Sequence, residues 1–273
     1  MAAGSAPREP PAHLLAGYTL DDRIPLLRLY VDEAADASTA IRFTRPELDE
    51  CVSHAKQQLL APRPSRAATG VNHASVARAL TADGPATVAG ADVVVFGSTD
   101  PWVECLCVAA GAKSVLTVEW QAREYDHPLM RTLGASDFDE ATREGGSFAG
   151  SFDVAIALSA FDHDGLGRYG DRLHPDGDLL AMRGAWRALR PETGRLLLSA
   201  PVGPDLVVWN LHRRYGPLRL PRLLGGWDEA ARVGWDEERL ITPADHKRRF
   251  EPLFVLRRNS SADLPVEVQQ CEA

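Results

Sequence analysis

From Asp92 onward the chain alternates short apolar runs with helical segments, and this rhythm restricts the fold more than any other feature. DVVVFG (Asp92 to Gly97) reads as a buried strand, PWVECLCVAAG as a helix with Pro101 in its first turn and Gly111 closing it, and SVLTVE as a second strand. FDVAIALSA (Phe152 to Ala160), a helix from Leu179 to Leu189, the turn RPETG and the strand RLLLSAP continue the series. Such an order implies an α/β fold with a doubly wound, mainly parallel sheet covered by helices through right-handed crossovers. After Pro201 the pattern weakens, and ARVGW and PLFVLRR read as closing strands able to pair antiparallel at one edge.

Ahead of this domain, residues 1–70 read as an N-terminal extension. Residues 1–13 are Ala, Pro and polar and are expected to be disordered. Ile24, Leu26, Leu27, Leu29, Tyr30 and Val31 form an apolar cluster, and Pro46 opens a helix, PELDECVSHAKQQLLA. The joint APRPSRAATG then separates the extension from an α/β domain over 71–258, and 259–273 form a patternless tail. A net charge of −8 disfavours nucleic-acid binding. Without a run of about 20 apolar residues or a secretory leader in MAAGSAPREPPAH, the expectation is a cytoplasmic protein with no membrane segment. The four cysteines include no C-x-x-C pair and read as reduced structural thiols.

Ligands of open α/β sheets bind outside the carboxyl ends of the strands, so the turns there are examined for chemistry. The first is GSTDPW, where Gly97 permits a sharp bend and Asp100 reads either as a helix cap or as a carboxylate for a cationic ligand. It is not G-x-G-x-x-G, and the charge of Asp100 opposes a phosphate, so dinucleotides are disfavoured. Glu119, about 20 residues on, ends the second strand at the spacing of a ribose-binding acid. Asp137 in GASDFDE is within reach of an adenine amino group on the same reasoning. Ser98, Thr99, Trp120 and Ser159 adjoin these positions and complete the cofactor-side set.

The loop FDHDGLGRYGDRLHPDGD follows the strand ending at Ser159. It contains no H-x-x-x-H or D-x-D-x-D-G spacing, so no metal ligands are assigned. PDGD fits a turn followed by Asp178 as a helix cap. His163, between Asp162 and Asp164, reads either as a general base kept basic by its neighbours or as a locally bonded loop residue. Arg168 and Tyr169 either hold an anionic or sugar-like substrate or clamp the loop through Asp171. NLHRRYGPLRLPRLL, with Asn210, His212, Arg213, Arg214, Tyr215, Arg219 and Arg222, reads as a substrate-side lid or as a helix whose arginines neutralise the chain's own acids.

FGSTDPWVE, VEW, DHDGLGRYGDRLHPDGD, APVGPD and NLHRRYGPLRL together resemble the uncharacterised domain-of-unknown-function family number 268, from about Val93 to Trp227. That family looks like a divergent branch of the class I S-adenosylmethionine-dependent methyltransferase fold, which implies a Rossmann-like sheet of seven strands. By position, the resemblance puts Gly97 at the methionine part of the cofactor, Glu119 at its ribose and the end of the Asp153–Ser159 strand opposite the methyl group. The usual glycine-rich turn is reduced here to GSTDPW. The leading expectation is methyl transfer from S-adenosylmethionine to an oxygen or nitrogen of a small saccharide-like or acidic acceptor. Asp162, His163 and Asp164 would then be catalytic, and Arg168, Tyr169, Asp171, Asn210, His212, Arg213 and Tyr215 would hold the substrate. Two rivals stand beside it, a scaffold protein with a degenerate cofactor site and a metal-dependent hydrolase or lyase.

Overall fold

The computed structural model describes residues 6–31, 33, 40–62, 71–242, 245 and 249–258. Most of the joint (63–70) and the tail (259–273) lie outside the described residues. The elements are α1 (Ala12–Thr19), β1 (Leu26–Leu29), β2 (Ile41–Phe43), α2 (Arg45–Leu60), α3 (His73–Leu80), β3 (Asp92–Phe96), α4 (Trp102–Ala109), β4 (Ser114–Glu119), β5 (Arg123–Tyr125), β6 (Met130–Gly134) and α5 (Ala135–Ala141). They continue with β7 (Val154–Leu158), α6 (Gly177–Ala188), β8 (Arg195–Ser199), β9 (Leu206–Asn210), β10 (His212–Arg214), α7 (Leu220–Leu224), β11 (Trp227–Val233), α8 (Glu237–Ile241) and β12 (Leu253–Arg258).

The central sheet has seven strands in the order β11-β12-β8-β7-β3-β4-β6. Neighbours from β8 through β6 are parallel, while β12 runs antiparallel to both β8 and β11. Counted along the chain, the first five strands follow the doubly wound order 3-2-1-4-5, and the seventh is inserted between the fifth and sixth. This is the α/β, Rossmann-like, seven-stranded class I methyltransferase type of sheet. Its topological switch point falls between β3 and β7.

Strand periodicity explains why both faces are covered. Val93 and Val95 of β3 enter one core with Leu48 and Val52 of α2, Val76 of α3 and Leu106 of α4. Val94 and Phe96 point the other way, into a core with Phe138 of α5, Met182 of α6 and Leu223 of α7. A strand buried on both faces reads as a continuous apolar run, which is why DVVVF was recognisable. By contrast β6 lies at the sheet edge, is mostly exposed or half-buried, and carries MRTLG, so no apolar run announced it.

The N-terminal part is woven into this architecture. Helix α2 contributes Leu48, Val52 and Ala55 to the first core, and β1 pairs in parallel with β9 beside the β9–β10 hairpin. Tyr18, Ile24, Val207 and Trp209 close a third, smaller core on Leu166 of the Asp/His loop. Residues 6–13 are placed rather than disordered: the Pro7 carbonyl accepts from Trp209 Nε1 at 3.1 Å and the Ala6 carbonyl from the Tyr30 hydroxyl at 2.7 Å. Tertiary partners supply what their composition lacks.

The expected set of reduced thiols is also corrected. Cys51 of α2 and Cys105 of α4 form a disulfide with Cα atoms 5.9 Å apart, while Cys107 is free and buried. Helix packing brings together residues 54 apart in sequence, which spacing alone does not reveal. No helix of the described residues is long and apolar enough to cross a membrane.

Candidate functional site

The parallel order of β7, β3, β4 and β6 places Ser159, Gly97, Glu119 and Gly134 at neighbouring carboxyl ends. Gly97 has φ +68° and is exposed; a Cβ there would sit 2.6 Å from the Ala160 Cβ. Gly97→Ala is therefore expected to cost roughly 1–2 kcal/mol, the left-handed penalty for an L-residue before the clash is counted. A urea titration checks it, and an unchanged midpoint would show that the turn relaxes freely.

The rest of that turn is ordered by β4. The Ser98 amide donates to one Glu119 carboxylate oxygen, and the Trp120 amide donates to the other at 3.1 Å. Arg123 Nη2 lies 3.5 Å from Glu119, whose side chain is 12% exposed. Burial raises the Glu119 carboxyl above the usual range, and Arg123 opposes the rise. Beneath the turn, Glu104 of α4 is fully buried, accepts from Thr117 Oγ1 at 2.8 Å and is also raised by burial. Thr99 and Asp100 are exposed. Asp100 makes no side-chain cap to α4; its carbonyl instead accepts from the Trp102 amide. Asp137 is exposed in the first turn of α5, directly after the end of β6.

The Asp/His loop is chiefly a structural hub. Asp171, expected to hold substrate, accepts from the Gly165 and Gly167 amides at 2.8 Å and the Tyr169 amide at 3.2 Å. Arg213 is fully buried and donates to the carbonyls of Asp162, Asp164, His174 and Pro175. Arg219 grips Asp178 through Nε at 2.9 Å and Nη2 at 2.5 Å, and the Tyr215 hydroxyl adds a bond to Asp178 at 3.1 Å. The expected helix cap at Asp178 is thus a fully buried ion pair, and Arg213 and Tyr215 are spent on the loop rather than on substrate. NLHRRYGPLRL runs from the end of β9 through β10 into the short α7, and Arg213, Arg219 and Arg222 are directed at the chain's own Asp176 and Asp178, the arrangement of the neutralising alternative rather than of the lid.

Arg168 pairs with Glu33 at 2.8 Å and lies over the Tyr169 ring, so its charge is also met internally. Asn210 accepts from the Val31 amide at 2.9 Å, leaving its Nδ2 without a partner among the described residues. Trp120 Nε1 donates to Asp164 Oδ1 at 2.9 Å, tying the end of β4 to the loop.

His163 follows β7 in a single 3₁₀ turn, Phe161–His163. Its Nδ1–H donates to the Leu211 carbonyl, and Nε2 lies 3.5 Å from Asp162 Oδ2. Burial lowers the imidazole to about 3. The ring is neutral and is a poorer base than expected, because desolvation outweighs the acids beside it. Asp162 is fully buried, and neither carboxylate oxygen has a hydrogen-bond partner among the described residues. Burial raises its pKa, and His212 in its protonated form and Arg249 oppose the rise. His212 is buried, held near 4 by desolvation, and its Nδ1 is likewise without a partner.

Glu251 joins this group unannounced by any motif. It is 5% exposed, its Oε1 accepts from Ser159 Oγ at 3.4 Å, and its Oε2 has no partner among the described residues. Ser159 carries φ +51°, unusual for a non-glycine residue at a strand end. A parallel bridge from Val71 to Glu251 and the antiparallel start of β12 bring Glu251 here. The segment RRFEPLF gave no sign of it.

No curated protein matches the chain. Among solved structures, a Mesorhizobium loti S-adenosylmethionine dependent methyltransferase is 16% identical, covering 63% of this chain and 92% of that chain with a TM-score of 0.38. A Haloferax volcanii protein assigned as a methyltransferase, in complex with the Trm112 activator, is 14% identical over 81% of this chain and 100% of that one, with a TM-score of 0.45. A Rhodobacter sphaeroides protein assigned as a Zn-dependent alcohol dehydrogenase is 12% identical over 77% and 98%, also at 0.45. At this level of similarity none of them assigns an activity. A family model, in contrast, spans residues 90–258, from just before β3 to the end of β12, and by that match the chain belongs to the family described as Caenorhabditis protein of unknown function, DUF268.

Proposed function

We propose that the chain binds S-adenosylmethionine along the carboxyl edge of the sheet and methylates an oxygen or nitrogen of a small acceptor. The supporting observation is that Ser159, Gly97, Glu119 and Asp137 stand at or just past the ends of four adjacent strands, β7, β3, β4 and β6. Three strand spacings amount to about 14 Å, the scale of an extended adenosyl ligand. The exposed Asp100 carboxylate suits a cationic amino acid group, Glu119 retains lone pairs for ribose hydroxyls, and the exposed Asp137 can accept from an adenine amino group. Bound there, the cofactor would supply an activated methyl group, leaving the chain to align the acceptor and take its proton. Buried Asp162 and Glu251, raised above ordinary carboxylates, are stronger bases once ionised than neutral His163, whose Nδ1–H is committed to the Leu211 carbonyl.

Isothermal titration tests the reading. S-adenosylhomocysteine is expected to bind the wild-type chain, with Glu119→Ala weakening it about tenfold or more through the lost charge-assisted bonds. Absence of binding at millimolar ligand would overturn it. One observation favours a second reading, a scaffold with a degenerate site. The Asp/His loop is fully braced by Asp171 and Arg213, and the Glu119 carboxylate already accepts from its own turn. On that reading neither S-adenosylmethionine nor S-adenosylhomocysteine binds. The hydrolase alternative has no donor set, since no group of three His, Cys, Asp or Glu among the described residues could hold a metal. The expected cytoplasmic setting competes with the Cys51–Cys105 bond, because such bonds persist chiefly in oxidising compartments.

A further inference from the structure

A cavity of about 220 Å³ opens beside the buried polar group, lined by Asn72 and Ser75 at the start of α3, Gly234 after β11, and Arg249, Glu251 and Leu253 at the start of β12. It lies on the same edge of the sheet as Ser159, because Leu253 pairs with Ser199 and Val233 pairs with Leu253. Glu251 is the link between them, lining the cavity while accepting from Ser159.

Among the described residues, polar atoms without partners lie in the cavity lining, at Glu251, and in the buried group next to Glu251, at Asp162 and His212. Glu251 Oε2 and both oxygens of Asp162 are acceptors, and His212 Nδ1 in a neutral ring is an acceptor or a donor according to tautomer. A buried acceptor left unmet costs on the order of 1–3 kcal/mol, so a ligand carrying donors gains by meeting it. The arginines that could favour an acidic ligand are committed elsewhere, Arg213 and Arg219 to the loop and Asp178, and Arg168 to Glu33. Arg249 alone lines the cavity with positive charge, and it stands against the two carboxylates of Glu251 and Asp162.

We infer that this cavity is the acceptor site and that it takes a small amine, bound through its N–H donors to Glu251, rather than an acid. This rests on the methyltransferase reading only for the word acceptor; the preference for an amine follows from the cavity itself. It replaces the saccharide-like or acidic acceptor expected from the arginine-rich segment.

The test compares n-butylamine, butyrate and n-butanol as probes of equal length, each by saturation-transfer NMR and titration at pH 7.5. Butylammonium is expected to bind more tightly than butyrate by about tenfold or more, the scale of one charge-assisted hydrogen bond. Glu251→Gln is expected to abolish that preference, and Ser75→Phe, which fills the cavity without altering its charge, to block both ligands. Equal binding of butyrate, an amine preference that survives Glu251→Gln, or no amine binding at all overturns the inference. S-adenosylhomocysteine titrated into the same proteins separates the two readings. If it binds wild type and Glu251→Gln alike while the amine does not bind, the acceptor inference fails alone. If the amine binds and S-adenosylhomocysteine does not, the cofactor reading fails alone.

Discussion

Asp178→Asn is expected to destabilise the chain by about 3–5 kcal/mol, lowering Tm on the order of 10 °C. Asp178 is fully buried, with Arg219 bound through two nitrogens, Tyr215 donating to the same carboxylate, and Arg213 Nε 3.8 Å away. Removing its charge leaves buried Arg213 with backbone carbonyls and buried Arg219 with the Pro175 carbonyl and Asp176 at 3.3 Å, and an undercompensated buried charge is among the costliest defects. The same residues hold the Asp/His loop and the β9–β10 hairpin together, so the loss reaches the candidate site. Burial would raise the Asp178 carboxyl, but Arg213 and Arg219 outweigh it and bring it to about 2. With the folded value depressed, its contribution is complete above the unfolded value near 3.9 and is lost as pH falls through about 2. The comparison variant is Arg222→Ala, which removes a partly exposed pair to Asp176 at 3.5 Å and is expected to cost less than about 1 kcal/mol. Equal midpoints for the two variants in urea would refute this account.

A second large effect is a loss of stability between pH 6.5 and pH 5. Desolvation lowers His163 to about 3 and His212 to about 4. Both remain neutral in the folded chain while the unfolded chain takes up protons near pH 6.5. The folded state therefore binds fewer protons, and stability that is complete above that pH declines as pH falls towards the folded values. At roughly 1.4 kcal/mol per histidine for each pH unit, the pair loses about 4 kcal/mol at pH 5 relative to pH 8. Asp162, Glu33, Arg249 and Arg168 act on these rings, and the nearby acids raised by burial, Asp162 and Glu251, work in the opposite direction by taking up protons in the folded state. The double variant His163→Gln, His212→Gln isolates the histidines. Urea titrations at pH 8, 6.5 and 5 are expected to show its stability changing from pH 8 to pH 5 by about 4 kcal/mol less in the destabilising direction than the wild type's; parallel profiles would assign the effect to other groups.

The residues legible in the sequence were those governed by local patterns. DVVVF, SVLTVE and RLLLS are buried on both faces and therefore appear as apolar runs; Gly97 bends the turn after the first, and Glu119 closes the second. β6 was illegible because an edge strand needs no such run, and its absence hid the fourth strand end, the one that places Asp137. Glu251 was illegible for a different reason: its role depends on β12 reversing direction beside β8, so that RFEPLF (249–254) arrives at the edge holding Ser159 and Asp162.

The sequence by itself determined the alternation, the doubly wound sheet and the position of the turn after β3, because these follow from periodicity and from residues near one another in the chain. Only the tertiary structure decided what the charged groups do. Asp171, Asp178, Arg213 and Arg219 resemble a substrate site when written in a line, yet burial among each other commits them to the fold. Among the described residues, the buried acceptors left unmet include Asp162 and Glu251, 89 residues apart in sequence and brought together by packing. Desolvation and pairing are properties of surroundings, and the surroundings of a side chain are set by the folded chain as a whole.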